Sequence, residues 1–169
     1  MGLFPPSPGG GQDVDYGYKG KGVTLHMLTD RKGRPIGALH GSAKSDERKM
    51  VLPLIAKSNV FMLKDLSNLS QPMIFLEADK GYDAMWLRQE LLNHQILPLI
   101  PYRGSKLKLY QESRRCFKQT SIRWRVERTF AWIKRKCRRL YLKWERTRVA
   151  WAAMIDLSLI YFWLEALVR

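Results

Sequence analysis

Only two cysteines, Cys116 and Cys137, occur in 169 residues. They are too few for a disulfide framework and too far apart for a Cys-x-x-Cys zinc motif, so both read as reduced thiols of a cytosolic protein. Histidine is equally sparse, at three. With no His or Cys cluster, any metal has to be a hard divalent cation held by carboxylate oxygens. No basic-then-apolar stretch opens the sequence, which argues against a signal peptide. Acid is the other shortage: 15 Asp and Glu face 30 Lys and Arg, for a formal charge of +15. That imbalance implies a polyanionic partner, nucleic acid ahead of an anionic membrane surface.

Long apolar runs are absent except for one, Val149 to Val168. It carries Asp156 and Glu165 and is flanked by arginines, so it reads as a buried core helix of a protein without a membrane span. Apolar residues make up 46% of the chain and its Trp and Tyr are spread along it, which excludes a disordered basic tail. One domain over 1–169 is expected, with residues 1–22 as an irregular Pro/Gly-rich lead-in.

Residues 23–28 (VTLHML) and 36–40 (IGALH) read as antiparallel strands joined by the turn DRKGRP, with Gly33 placed for positive φ. Ser45-Asp46-Glu47 caps a helix running through Ala56, with Met50, Leu54 and Ile55 inward. Residues 73–78 (MIFLEA) form a short central strand ending at Asp79, and residues 84–94 a helix with Leu87, Leu91 and Leu92 inward. Ile96 to Pro101 is a further strand, at an edge or ending early because of Pro98. Residues 102–118 read as a basic surface loop. From about Ser121, Val126, Phe130, Ile133, Cys137 and Leu140 recur at helical spacing. The order is mixed α/β with one antiparallel hairpin.

Two carboxylates stand out. Asp79 lies at the end of a strand, where open α/β sheets place functional groups, yet an Asx-turn into Gly81 serves equally well. Glu127 sits among seventeen Lys and Arg and three acids between residues 101 and 150, on the edge of the helical stripe. It is either an ion-pair partner of Arg123 four residues earlier or a metal ligand. Together the two suit phosphoryl transfer, in which paired divalent cations on Asp and Glu activate the attacking and leaving oxygens.

The stretches ADKGYD (78–83) and RWRVERTFAW (123–132) resemble the catalytic core of bacterial insertion-sequence transposases of the DDE class, specifically the insertion-sequence-five type. That family's signature helix reads Tyr, two residues, Arg, three residues, Glu, six residues, Lys. Arg123, Glu127 and Lys134 match it, and Thr120 stands in the place of the Tyr. The hairpin GYKGKGVTLHMLTDRKGRPIG and residues 140–164 also resemble family segments, so the likeness spans nearly the whole chain.

The resemblance implies a ribonuclease H-like mixed sheet flanked by helices, with long C-terminal helices, and a Mg²⁺- or Mn²⁺-dependent enzyme. Such an enzyme hydrolyses a phosphodiester at the element's end and transfers the freed 3′-hydroxyl to target DNA. Asp79 and Glu127 would be the second and third triad carboxylates, with Arg123, Arg125, Arg128, Lys134 and Arg138 on DNA. Its partners would be terminal inverted repeats, target DNA and a second protomer, in the bacterial cytoplasm.

The first carboxylate of the family belongs to the first strand, in an Asp-Gly-Ser/Thr-Phe setting. Here that place reads Met1-Gly2-Leu3-Phe4. The first strand is therefore expected to be incomplete, and the chain to be a catalytic part lacking the family's N-terminal DNA-binding region. Either an upstream reading frame supplies the missing Asp or the copy has decayed into a non-catalytic DNA-binding remnant. Asp13 and Asp15 lie beyond the expected strand and are poor substitutes.

Overall fold

A computed structural model describes residues 2–58, 74–103 and 123–168. The basic segment expected as a loop, Met73 and Thr120 lie largely or wholly outside them. The architecture is mixed α/β and is organised around one long strand. The strands β1 (Gly2–Leu3), β2 (Asp15–Gly17), β3 (Gly20–Thr29) and β4 (Pro35–Ser42) form an antiparallel sheet. β4 pairs with β3 from Val23↔Ser42 to Thr29↔Pro35, while β1 and β2 share the opposite edge of β3. The hairpin expected from the sequence is present but longer, and its turn holds Gly33 at φ +81.

Period-two alternation lets β3 bury both faces. Val23, Leu25 and Met27 face a core containing Phe130, Ile133, Leu140, Trp151 and Ile155. On the other face His26 is buried against Thr24, and Leu28 packs on a second cluster built from Val51, Ile55, Tyr82, Leu87, Leu91 and Ile96.

That second cluster belongs to α1 (Val51–Lys57) and to a parallel unit of β5 (Ile74–Glu77), α2 (Met85–Asn93) and β6 (Ile96–Leu99). Asp46, not Ser45, supplies the cap, and it caps a 3₁₀ turn at Glu47–Met50 that precedes α1. Leu92 is exposed rather than inward, whereas Arg88 of the same helix is buried. Arg88 donates to Asp83 at 2.8 Å and to the Ile100 carbonyl at 2.6 Å. The sequence places β5 centrally; among the described residues it pairs only with β6, in register Ile74↔Ile96.

The lead-in is far from loose. Ser7 Oγ donates to the Lys143 carbonyl at 2.9 Å, and buried Lys143 donates Nζ to the Gln12 and Glu145 carbonyls at 3.2 and 2.7 Å. Arg148 closes the strap on Asp13 at 2.6 Å. These bonds leave the buried ammonium solvated by carbonyls, which lowers its desolvation cost.

α3 (Arg123–Lys136) places Phe130 and Ile133 in the first core, with Val126 and Cys137 packed beside them as the periodicity predicts. The helix stops at Lys136, and Leu140 reaches the core from a separate turn at Arg138–Leu140. α4 (Arg148–Val168) corrects an expectation: it is helical throughout but buries only Trp151, Ile155 and Ser158. Val149, Leu157, Ile160, Leu164 and Leu167 are exposed, so an apolar helix long enough to cross a membrane by length and composition lies on the surface here.

Ile133→Ala should cost about 2–4 kcal/mol in urea unfolding, whereas Leu157→Ala should change stability by less than about 0.5 kcal/mol. A large loss at Leu157 would mean that the outer face of α4 is packed in solution.

Candidate functional site

Asp79 caps the 3₁₀ turn Lys80–Tyr82, and its Oδ1 accepts from the Gly81 N–H at 2.7 Å. The Asx-turn is thus formed. A Cβ at Gly81 would lie 2.7 Å from the same Oδ1, so glycine lets the carboxylate fold over the turn. Asp79 is exposed, with one oxygen oriented by this bond. Glu127 is also exposed, not at the edge of the buried face as its spacing suggests.

Neither side chain lines the groove next to it, but the residue ahead of each does. Ala78 and Val126, adjacent in sequence to Asp79 and Glu127, both line a groove of about 450 Å³ between β3, α1, β5 and the first turn of α3. Arg125 enters the same groove beside Glu77, opposing the desolvation that raises the Glu77 carboxyl above the usual range. Sequence reasoning passed over Glu77 and Glu47, both of which line the groove. For Glu77 the signal is a charged residue inside an otherwise apolar strand; Glu47 reads only as part of the helix start. Among the described residues no three His, Cys, Asp or Glu side chains are grouped to hold a metal.

The basic residues diverge. Arg128 donates to the Lys32 carbonyl at 2.9 Å and stacks on Trp124 at 4.6 Å, while Thr129 Oγ1 donates to the Gly33 carbonyl. These bonds fix the hairpin turn to α3. Lys134 lies 5.9 Å from the Tyr141 ring, and Arg138 is exposed on the turn beyond the helix. The side chain of Arg123 is outside the described residues. A second cavity, lined by Lys32, Arg34, Arg128, Arg135, Trp132 and Phe162 among others, continues this cationic and aromatic surface. Such a surface suits phosphates and unstacked bases.

Asp13 and Asp15 are spent elsewhere. Asp13 pairs with Arg148 and lies 3.4 Å from His40, and Asp15 accepts from Ser42 Oγ. Arg148 holds the Asp13 carboxyl below its ordinary value, and the Ser42 hydrogen bond does the same for Asp15.

Comparison with known proteins agrees with this picture. The family model described as the transposase DDE domain matches residues 5–163. The chain belongs to the transposase DDE domain family. It is 32% identical over 143 residues to a Burkholderia cepacia protein named as a transposase for insertion sequence element IS402, a match covering 81% of this chain. The chain spans 60% of the length of that curated relative. No solved structure matches.

His26, buried at the groove, supplies a pH test. Desolvation lowers its pKa to about 4. An unfolded imidazole takes up its proton near 6.5, so protonation favours the unfolded chain. Stability should therefore fall as pH drops from about 6.5 toward 4, at up to about 1.4 kcal/mol per pH unit from this residue. His40, also depressed by burial though opposed by Asp13, acts in the same direction. Urea midpoints across this range should flatten in His26→Gln, leaving the His40 slope and, below about pH 5, the loss from the depressed carboxyls of Asp13 and Asp15. An unchanged slope would remove His26 as the cause.

Proposed function

We propose that this chain is the catalytic part of an insertion-sequence transposase of the insertion-sequence-five type, with a ribonuclease H-like arrangement of strands. Its reaction is hydrolysis of a phosphodiester at the element's end, followed by transfer of the 3′-hydroxyl to target DNA. The observation that carries this reading is the approach of the segments bearing Asp79 and Glu127 to one groove, within a chain of the DDE family.

Asp79 and Glu127 are the ligands for Mg²⁺ or Mn²⁺. Their oxygens fit a hard cation in kind, and the Gly81 N–H presets one of them. They do not fit it in number. With two carboxylates and no third grouped with them among the described residues, the chain by itself binds a metal weakly and does not cut, so no reaction step through the ion follows from these residues. In the family the remaining carboxylate belongs to the first strand, and either an upstream frame supplies it or it has been lost. The rival reading, a DNA-binding remnant, makes the same contacts without ever regaining chemistry.

Arg123, Arg125, Arg128, Lys134 and Arg138 bind DNA through phosphates, with exposed Trp124 and Trp144 available for stacking. The substrates are the terminal inverted repeats and target DNA. The working form is a dimer holding two ends, in the bacterial cytoplasm without membrane attachment.

The test uses the purified 169-residue chain. Water-proton relaxation should detect weak Mn²⁺ binding that drops by more than about 10-fold in both Asp79→Asn and Glu127→Gln, since even residues supporting a metal ligand are worth about 10–100-fold. DNA binding should stay or tighten in the same variants. Separately, Arg128→Ala and Lys134→Ala should each reduce the slope of log affinity against log salt by about one. Mn²⁺ binding indifferent to both carboxylate changes would sink the ligand assignment. Mg²⁺-dependent cleavage of the element's ends by the unextended chain would sink its incompleteness.

A further inference from the structure

The tip of the β2–β3 hairpin displays aromatic rings that no packing explains. Tyr16 is 70% exposed and Tyr18 wholly so, and neither belongs to either apolar core. A single surface tyrosine is ordinary. Two within three residues, on a hairpin that also carries Lys19 and Lys21, make a patch with a chemistry of its own.

The backbone fixes that patch in place. β2 pairs with β3 from Asp15↔Gly22 through Tyr16↔Lys21 to Gly17↔Gly20, which leaves Tyr18 and Lys19 as the turn. Gly20 closes it at φ +106, a conformation open to glycine and strained for other residues. A Cβ at Gly17 would lie 2.5 Å from the Ala43 carbonyl oxygen, so glycine lets the hairpin press on the turn after β4. Asp15 accepts from Ser42 Oγ and lies 3.6 Å from Lys44. One face of the hairpin is thereby anchored through Asp15 and Gly17, and alternation turns Tyr16 and its cross-strand partner Lys21 to the other. The acid is spent on the anchored side, and the tip is left aromatic and cationic. Tyr18 and Lys19 also border a cavity of about 180 Å³ walled by Leu3, Phe4, Ala43 and Glu47. Its apolar walls suit a flat ring rather than a hydrated phosphate, and Glu47 can accept from a base amine.

We propose that this tip binds a DNA strand whose bases are unpaired. The rings of Tyr16 and Tyr18 stack on bases, and Lys19 and Lys21 meet the adjoining phosphates. In a duplex each base already has its faces covered by its neighbours, so the rings add affinity only for an opened strand. That the strand is DNA rests on the transposase reading; its unpaired state rests on the tip alone. The contact uses none of the α3 cations and neither Asp79 nor Glu127.

Fluorescence anisotropy with a labelled twelve-nucleotide oligothymidylate, and with a duplex of the same length, tests this. Stacking on one ring is worth about 5- to 150-fold by alanine substitution, so Tyr16→Ala/Tyr18→Ala should weaken oligothymidylate binding by at least about 10-fold and duplex binding by less than about 2-fold. Both positions are exposed, so the fold survives their substitution. Tyr16→Phe/Tyr18→Phe keeps both rings and should bind as the parent does. Lys19→Ala and Lys21→Ala should each lower the slope of log affinity against log salt on the single strand by about 0.7. Unchanged oligothymidylate binding in the alanine pair overturns the proposal, as does an equal loss on strand and duplex. Oligouridylate bound more than about 10-fold tighter than oligothymidylate assigns the tip to RNA and overturns the choice of DNA. If Arg128→Ala leaves duplex binding unchanged while the strand still requires the two tyrosines, the tip stands and the α3 surface falls.

Discussion

The structure depends on β3, a ten-residue strand covered on both faces. Burying Val23, Leu25 and Met27 against α3 and α4 holds the helix that carries Glu127. Packing Leu28 against the α1 and β5–β6 cluster ties in the strand that leads to Asp79. Burial of this kind is worth roughly 1.5–3 kcal/mol per large apolar side chain. Neither carboxylate is positioned by its own contacts alone. Each is exposed, and each follows a half-buried residue that lines the groove, Ala78 and Val126.

Charge acts at a second level. Arg88, Lys143 and Arg148 are structural cations, saturated by Asp83, by carbonyl oxygens and by Asp13 respectively. Arg128 and Lys134 lie on the exposed side of α3, where attraction to phosphates costs little desolvation. A net charge of +15 therefore overstates the cationic surface open to a polyanion, because part of it is consumed in closing the lead-in strap and the β5–β6 unit.

Much of this was legible in the sequence because it rests on short-range periodicity. The β3–β4 hairpin, the stripe from Val126 to Leu140 and the strand-turn at Asp79 follow from alternation, helical spacing and turn chemistry. What escaped depends on long-range contacts. The strap formed by residues 5–13 owes its order to Lys143, Arg146 and Arg148, more than 130 residues away, and no local pattern announces it. The outer face of α4 looked like core because its composition is apolar on all sides, and composition cannot say which side finds a neighbour. The family likeness supplied Asp79 and Glu127; Glu77 and Glu47 became visible only once the groove had walls.

The most direct measurement is anomalous diffraction from crystals of the chain soaked in Mn²⁺. The account predicts a Mn²⁺ peak beside the carboxylates of Asp79 and Glu127, which would hold the ion. Mn²⁺ bound elsewhere, or ordered Asp79 and Glu127 carboxylates pointing away from one another, would contradict it.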